Sequence, residues 1–348
     1  MPGWIHEWRM IEGGKDGKDG KVLPKESSGR TRLRLAIALT LPVFPVFPVF
    51  PVLPVLPVLP VLPVLDYTMP RTIHVAHSPD SDDAFMFYAL AEGKVDTGGL
   101  RYVHELSDIE SLNQRARRAE LEVTAVSIHA YAYIWRDYAL LSSGSSMGDG
   151  YGPRLVSTAS CPVDPRASLR GRRVAVPGKL TTAYLALQLY QPECVAEVVP
   201  FDQIEEAVQR GEFELGLLIH EGQLTYGDSG LYLWADLGAW WLEDTGLPLP
   251  LGGNAVRRDL GSPIIDQIAR DLRASIIYGL EHRAPALAHA RQYNRGIGDE
   301  RTDTFVGMYV NQWTVDYGPR GRQAVQLLLD RAYSAGLVPE RVKVEFVG

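Results

Sequence analysis

The chain has 348 residues, of which residues 42–65 are eight consecutive Pro-Val-Phe or Pro-Val-Leu triplets that an ordinary globular core cannot accommodate. Residues 1–68 hold eight Lys/Arg and six Asp/Glu out of 35 and 42, so the 280 residues from Met69 onward carry 27 against 36, a net −9. That acidity argues against a nucleic-acid or anionic-membrane surface, and two cysteines, Cys161 and Cys194, are too few for a disulfide framework or a Cys-based metal site.

Residues 35–65 contain no charge and follow Arg30, Arg32 and Arg34, which superficially suggests a signal peptide or membrane span. A proline at every third position forbids the helix that a bilayer demands. It suits instead a polyproline II rod of about 74 Å. The leader's small-residue pattern, Ala36-Ile37-Ala38, precedes the apolar run, the wrong order for cleavage. Residues 1–68 therefore read as a low-complexity, disordered leader, with Met69 the expected start of the functional chain; a rigid spacer or anchor is the alternative.

From Met69 the pattern alternates. Residues 72–77 read as a strand and 83–91 as a helix with Phe85, Met86, Tyr88 and Ala89 at helical spacing. A second strand over 100–106 leads to a helix through residue 118, with Asp108 as N-cap. A third strand, 123–128, runs into an aromatic segment, and the glycine-rich residues 144–152 read as a hinge or lid loop without regular structure. The pattern restarts with a strand at 173–178, a helix at 182–190, a strand at 195–199, a helix at 203–210 and a continuous apolar run at 215–219, the kind buried on both faces of a parallel sheet. Helices are expected over 263–280, 285–293, 302–313 and 320–335. The fold class is α/β, with mostly parallel sheets and, from the restart at Arg173, two of them.

Ligands in such folds bind beyond the carboxyl ends of strands. Four ends carry polar side chains: Ser78, Ser127, Thr181 with Thr182, and His220. Singly, a Ser or Thr there is a helix cap and a His is a hydrogen-bonded structural residue. Together they would line one crevice, with helix N-termini suited to a carboxylate. Asp80, Asp82 and Asp83 read as acids at a helix N-terminus rather than as metal ligands. No metal site is expected, and no phosphate-binding glycine motif lies between a strand and a helix. Trp240 and Trp241 read as packing at a domain edge.

Several runs in order resemble the 1,4-dihydroxy-6-naphthoate synthase family of the futalosine route to menaquinone. They are His77-Ser78-Pro79-Asp80-Ser81-Asp82-Asp83-Ala84-Phe85-Met86, Val126-Ser127-Ile128-His129-Ala130-Tyr131, Ser146-Met147-Gly148-Asp149-Gly150-Tyr151-Gly152-Pro153, Val176-Pro177-Gly178 with Thr181-Thr182-Ala183-Tyr184, Leu218-Ile219-His220-Glu221, and Leu237-Gly238-Ala239-Trp240-Trp241 with Leu247-Pro248-Leu249-Pro250-Leu251-Gly252. The resemblance begins at Met69 and covers essentially all 280 residues. It implies a fold like the type II periplasmic binding proteins, with one lobe from residues 69–165 plus 250–348 and an inserted lobe from 166–249. It implies a cytoplasmic, cofactor-free lyase that cleaves cyclic dehypoxanthinylfutalosine to 1,4-dihydroxy-6-naphthoate and dihydroxyacetone. His220 matches the family's base, and Ala125, Val126, Ser127, Thr182 and Ala183 match its substrate contacts. Some members carry lysine where this chain has Ala125, so no charge contact comes from that position here.

An imidazole with an ordinary pKa of about 6.5 suits proton removal near neutrality. An aromatic carboxylate product suits a mostly apolar pocket with a helix N-terminus at one end. Two other readings share the fold. A solute-binding protein for a small carboxylate would have no use for a base in its cleft, and a chorismate dehydratase of the same pathway would not be expected to carry the His220-Glu221 pair.

Overall fold

The computed structural model describes residues 71–293 and 298–348; the polyproline reading of residues 42–65 and the reading of Met69 as a start lie outside the described residues. Two sheets organise the rest. The first has the order Phe346–Val347, Tyr138–Leu141, Leu249–Arg257, Val123–Ser127, Arg71–His77, Leu100–Leu106, with Ser146–Gly148 also paired to Leu249–Arg257. The second has the order Tyr232–Asp236, Arg154–Ser157, Leu215–Leu218, Arg173–Val176, Val195–Val198.

Strand chemistry explains the interior of each sheet. Val123–Ser127 and Leu215–Leu218 are buried at every residue, as strands with a neighbour on each edge and both faces covered should be. The helix Ser81–Ala91 follows the first strand and is likewise buried all round. Its apolar residues face both the sheet and the helices Ser262–Glu281 and Arg283–Ala290, so it has no solvated face to carry an amphipathic stripe. Asp108 caps the next helix, Ile109–Ala116, by accepting from the Ser111 amide at 3.0 Å.

Three expectations require correction. The sheets are mixed rather than mostly parallel: Leu249–Arg257 runs antiparallel to Val123–Ser127 and Tyr138–Leu141, and Arg154–Ser157 runs antiparallel to both of its neighbours. The nine-residue strand Leu249–Arg257 was hidden because Pro250, Gly252 and Gly253 give it the composition of a loop, and its register shifts between Pro250 and Gly252. Residues 144–152 are not without regular structure, since Ser146–Gly148 is a strand of the first sheet. The helix expected over 302–313 ends at Tyr309, and Asn311 starts a new turn, Gln312–Val315, through a capping box with Thr314.

The glycines of the 144–152 segment serve close packing. Gly152 lies against the backbone of Gly238, and a Cβ on Gly238 would collide with the Tyr151 carbonyl. Gly238→Ala is expected to destabilise the protein by about 1–3 kcal/mol through this overpacking, read as a lowered thermal midpoint. An unchanged melt would mean the two backbones have room to separate.

Candidate active site

Ser78, Ser127, Thr181, Thr182 and His220 line a single cleft, together with Ala125, Val126 and Ala183. The strand-end geometry that brings them together also recruits residues that sequence reasoning did not single out as functional: Asp80, Asp82 and Asp83 as cleft groups, and Gln223, Asn254, Phe305 and Tyr309.

The chemistry concentrates where the two sheets face each other. Asp80 follows the strand Arg71–His77 of the first sheet, and His220 follows Leu215–Leu218 of the second. His220 Nδ1 lies 2.9 Å from Asp80 Oδ2, with the imidazole 18% exposed and Asp80 1%. Asp80 also accepts from the Ser78 hydroxyl, and the Ser78 amide donates to Asp83 Oδ2 at 2.8 Å. Glu221, the next residue, accepts from the Ser81 hydroxyl at 3.4 Å, a second bond between the same two junctions.

His220 has a left-handed backbone, φ +54, shared among described non-glycine residues only with Ala119. Such a conformation persists where its surroundings enforce it. The edge of Phe201 meets the imidazole at 5.1 Å between centroids. With its amide nitrogen turned to the Gly152 carbonyl at 2.7 Å, Gln223 accepts from the His220 N–H at 3.2 Å. In that same orientation the Gln223 oxygen also accepts from the Tyr309 hydroxyl at 3.0 Å. The strained turn aims the ring at Asp80.

Burial acts to lower the His220 pKa, but the charge and hydrogen bond of Asp80, with Glu221 and Asp82 behind it, outweigh that and raise it to about 9. Burial, followed by the like charges of Asp83 and Asp80, pushes Asp82 well above the usual carboxylate range. Asp83 is raised by burial to about 7, against the opposing bond from the Ser78 amide. Near neutrality the resting site therefore holds an imidazolium on Asp80. Neighbouring His77 is different: burial lowers it to about 4 while it bonds the Ser78 carbonyl at 3.0 Å and stacks on Phe87. It is a neutral packing group.

The hydroxyls at the remaining strand ends bond to the protein itself. Ser127 accepts from Asn113 Nδ2 at 3.0 Å, and its amide donates to Asn113 Oδ1 at 2.9 Å. Thr181 caps the helix Thr182–Tyr190 by accepting from the Tyr184 amide at 3.2 Å, and it donates to Gly178 O at 2.8 Å. Thr182 donates to Leu251 O at 2.6 Å and accepts from the His129 amide at 3.1 Å. What these residues can offer an anion is the backbone N–H of Thr182 and Ala183, which begin a helix and have no partner within it.

The sequence signal for Asp80 was present but read locally. Three acids at the cap and in the first turn of an apolar helix that is buried all round cannot all be solvated. Asn254 gave no such signal, because the strand that carries it looked like a loop. Among the described residues no group of three or more His, Cys, Asp or Glu is placed to hold a metal ion, and no helix is long and apolar enough to cross a membrane.

Two α/β lobes with a ligand cleft between strand ends define the periplasmic-binding-protein fold, here with an imidazole–carboxylate pair across the cleft. An alkanesulfonate-binding protein from Xanthomonas axonopodis superimposes with a TM-score of 0.60 at 13% identity, over 79% of this chain and 96% of its own, which speaks for the fold alone. A structural-genomics crystal structure from Archaeoglobus fulgidus is nearer, with a TM-score of 0.73 and 46% identity over 77% of this chain and 98% of its own. The sequence model of a family described by menaquinone biosynthesis matches residues 73–334. The 1,4-dihydroxy-6-naphthoate synthases of Thermus thermophilus and Streptomyces coelicolor are each 40% identical, over 79% and 77% of this chain and 99% and 95% of their own. The chain belongs to this menaquinone-biosynthesis family.

Proposed function

We propose that the protein is a cytoplasmic lyase that converts cyclic dehypoxanthinylfutalosine to 1,4-dihydroxy-6-naphthoate and dihydroxyacetone, without a metal or redox cofactor. The observation that carries this reading is the His220–Asp80 pair, an imidazole held across a cleft that has no other cationic side chain along its wall among the described residues. A binder of small anions has no need of a strained histidine engaged by a buried aspartate. Identity to two naphthoate synthases over nearly their whole length supports the substrate assignment.

In this mechanism His220 removes a substrate proton, and Asp80 fixes the ring so that Nε2 faces the substrate. The N–H groups of Thr182 and Ala183 take the carboxylate, and the strand Ala125-Val126-Ser127 floors the ring. Ser78 and Thr181 act indirectly, one on Asp80 and the other on the helix start. Formation of the aromatic ring drives the elimination. Closure between one lobe of residues 69–165 plus 250–348 and an inserted lobe of 166–249 assembles the pair, because Asp80 and His220 lie on different sheets. In that division the strand Arg154–Ser157, which belongs to the second sheet, passes into the inserted lobe ahead of residue 166. Incubating purified protein with the cyclic intermediate is expected to yield the naphthoate by mass spectrometry. No product under conditions where a related synthase turns over would reject the reading.

A further inference from the structure

The geometry points to Asn254 as the residue that sets which way round the substrate lies, by accepting a hydrogen bond from a substrate hydroxyl; this rests on the naphthoate reading of the cleft. Asn254 sits inside the strand Leu249–Arg257, opposite Ala125 in the antiparallel register. It is 1% exposed and lines the cavity. Asparagine is depleted in strand interiors, and a buried amide is costly unless its polar atoms are paired.

Half of the amide is paired. Nδ2 donates to the Gly144 carbonyl at 3.0 Å. Gly144 has φ +84, and a Cβ there would collide with that same nitrogen, so glycine is what lets the loop close on the amide. Because the loop presents a carbonyl, the nitrogen must face it, and the orientation of the amide is fixed. Oδ1 therefore points away from Gly144, and no donor among the described residues reaches it.

A neutral oxygen with a fixed direction selects chemistry. It takes an O–H or N–H and repels a carboxylate, so the substrate's anionic end must lie elsewhere in the cleft. The N-terminus at Thr182 and Ala183 is tied to the same strand three residues away, through the bond from Thr182 to Leu251 O. Three residues of strand span about 10 Å. Anion donors at one end and a hydroxyl acceptor at the other match an aromatic acid with its carboxylate and ring hydroxyl on opposite sides. Ala125 and Gly252, small and on the adjoining register positions, leave room for a flat ring between.

The test compares 1,4-dihydroxy-6-naphthoate with 2-naphthoate, which keeps the carboxylate and lacks both hydroxyls. Binding is measured anaerobically by tryptophan fluorescence or calorimetry. Wild type is expected to prefer the dihydroxy compound by about tenfold, the scale of one hydrogen bond, and Asn254→Leu to bring that ratio to about one. A thermal melt checks that the variant is folded; if it is not, the ratio is read on Asn254→Ala. A ratio that survives the substitution, or a wild-type ratio near one, overturns the assignment. Wild type that binds neither compound would reject the underlying naphthoate reading, and with it this inference.

Discussion

His220→Ala is expected to lower turnover by about 10² to 10⁴ while leaving KM within a few-fold, because general-base contributions are of that size and the base is not the group that holds the carboxylate. The substitution leaves alanine at φ +54, so a melt must accompany the kinetics. The loss should persist in variant protein that melts close to wild type. A rate near wild type would make His220 a structural residue, held in its turn by Phe201 and Gln223 for packing alone.

Asp80→Asn is expected to be nearly as damaging at the pH optimum, about 10², because an amide can present its N–H to Nδ1 and leave the imidazole in the wrong tautomer. The pH profile separates this from simple misfolding. With His220 at about 9 in the resting protein, kcat/KM of wild type should climb about tenfold per unit toward that pH, since the base must first lose its proton. Without Asp80, burial is no longer outweighed, and the ascending limb should move to lower pH. Stability follows the same linkage. The folded pKa lies above the unfolded value of 6.5, so the pairing stabilises fully below about 6.5 and loses its contribution as pH rises through about 9. Melting midpoints of wild type and Asp80→Asn should therefore stand apart at pH 6 and approach each other by about pH 9.5. A limb that does not move in the variant would mean that Asp80 does not set the histidine's protonation.

The legible parts of the sequence were those governed by local periodicity. Leu100–Leu106 and Thr182–Tyr190 fall where strand and helix patterns put them, and Ser78, Ser127, Thr181, Thr182 and His220 could be placed at strand ends because each stands at or within a few residues of the end of a strand pattern. A two-residue repeat or a 3.6-residue repeat records which face of an element is buried, and that is a property of the chain itself. Leu249–Arg257 escaped because its proline and glycines violate local strand preference, and only the neighbours on both sides, supplying hydrogen bonds and small-residue packing, hold it extended. The strand's loss took Asn254 with it. Likewise, the sequence determined that His220 and three acids stand at strand and helix ends, 140 positions apart for His220 and Asp80, but gave no distance between them. The tertiary structure decided that the histidine meets Asp80, because two separate sheets must face each other before the acids are desolvated and before any one of them can raise the pKa of an imidazole.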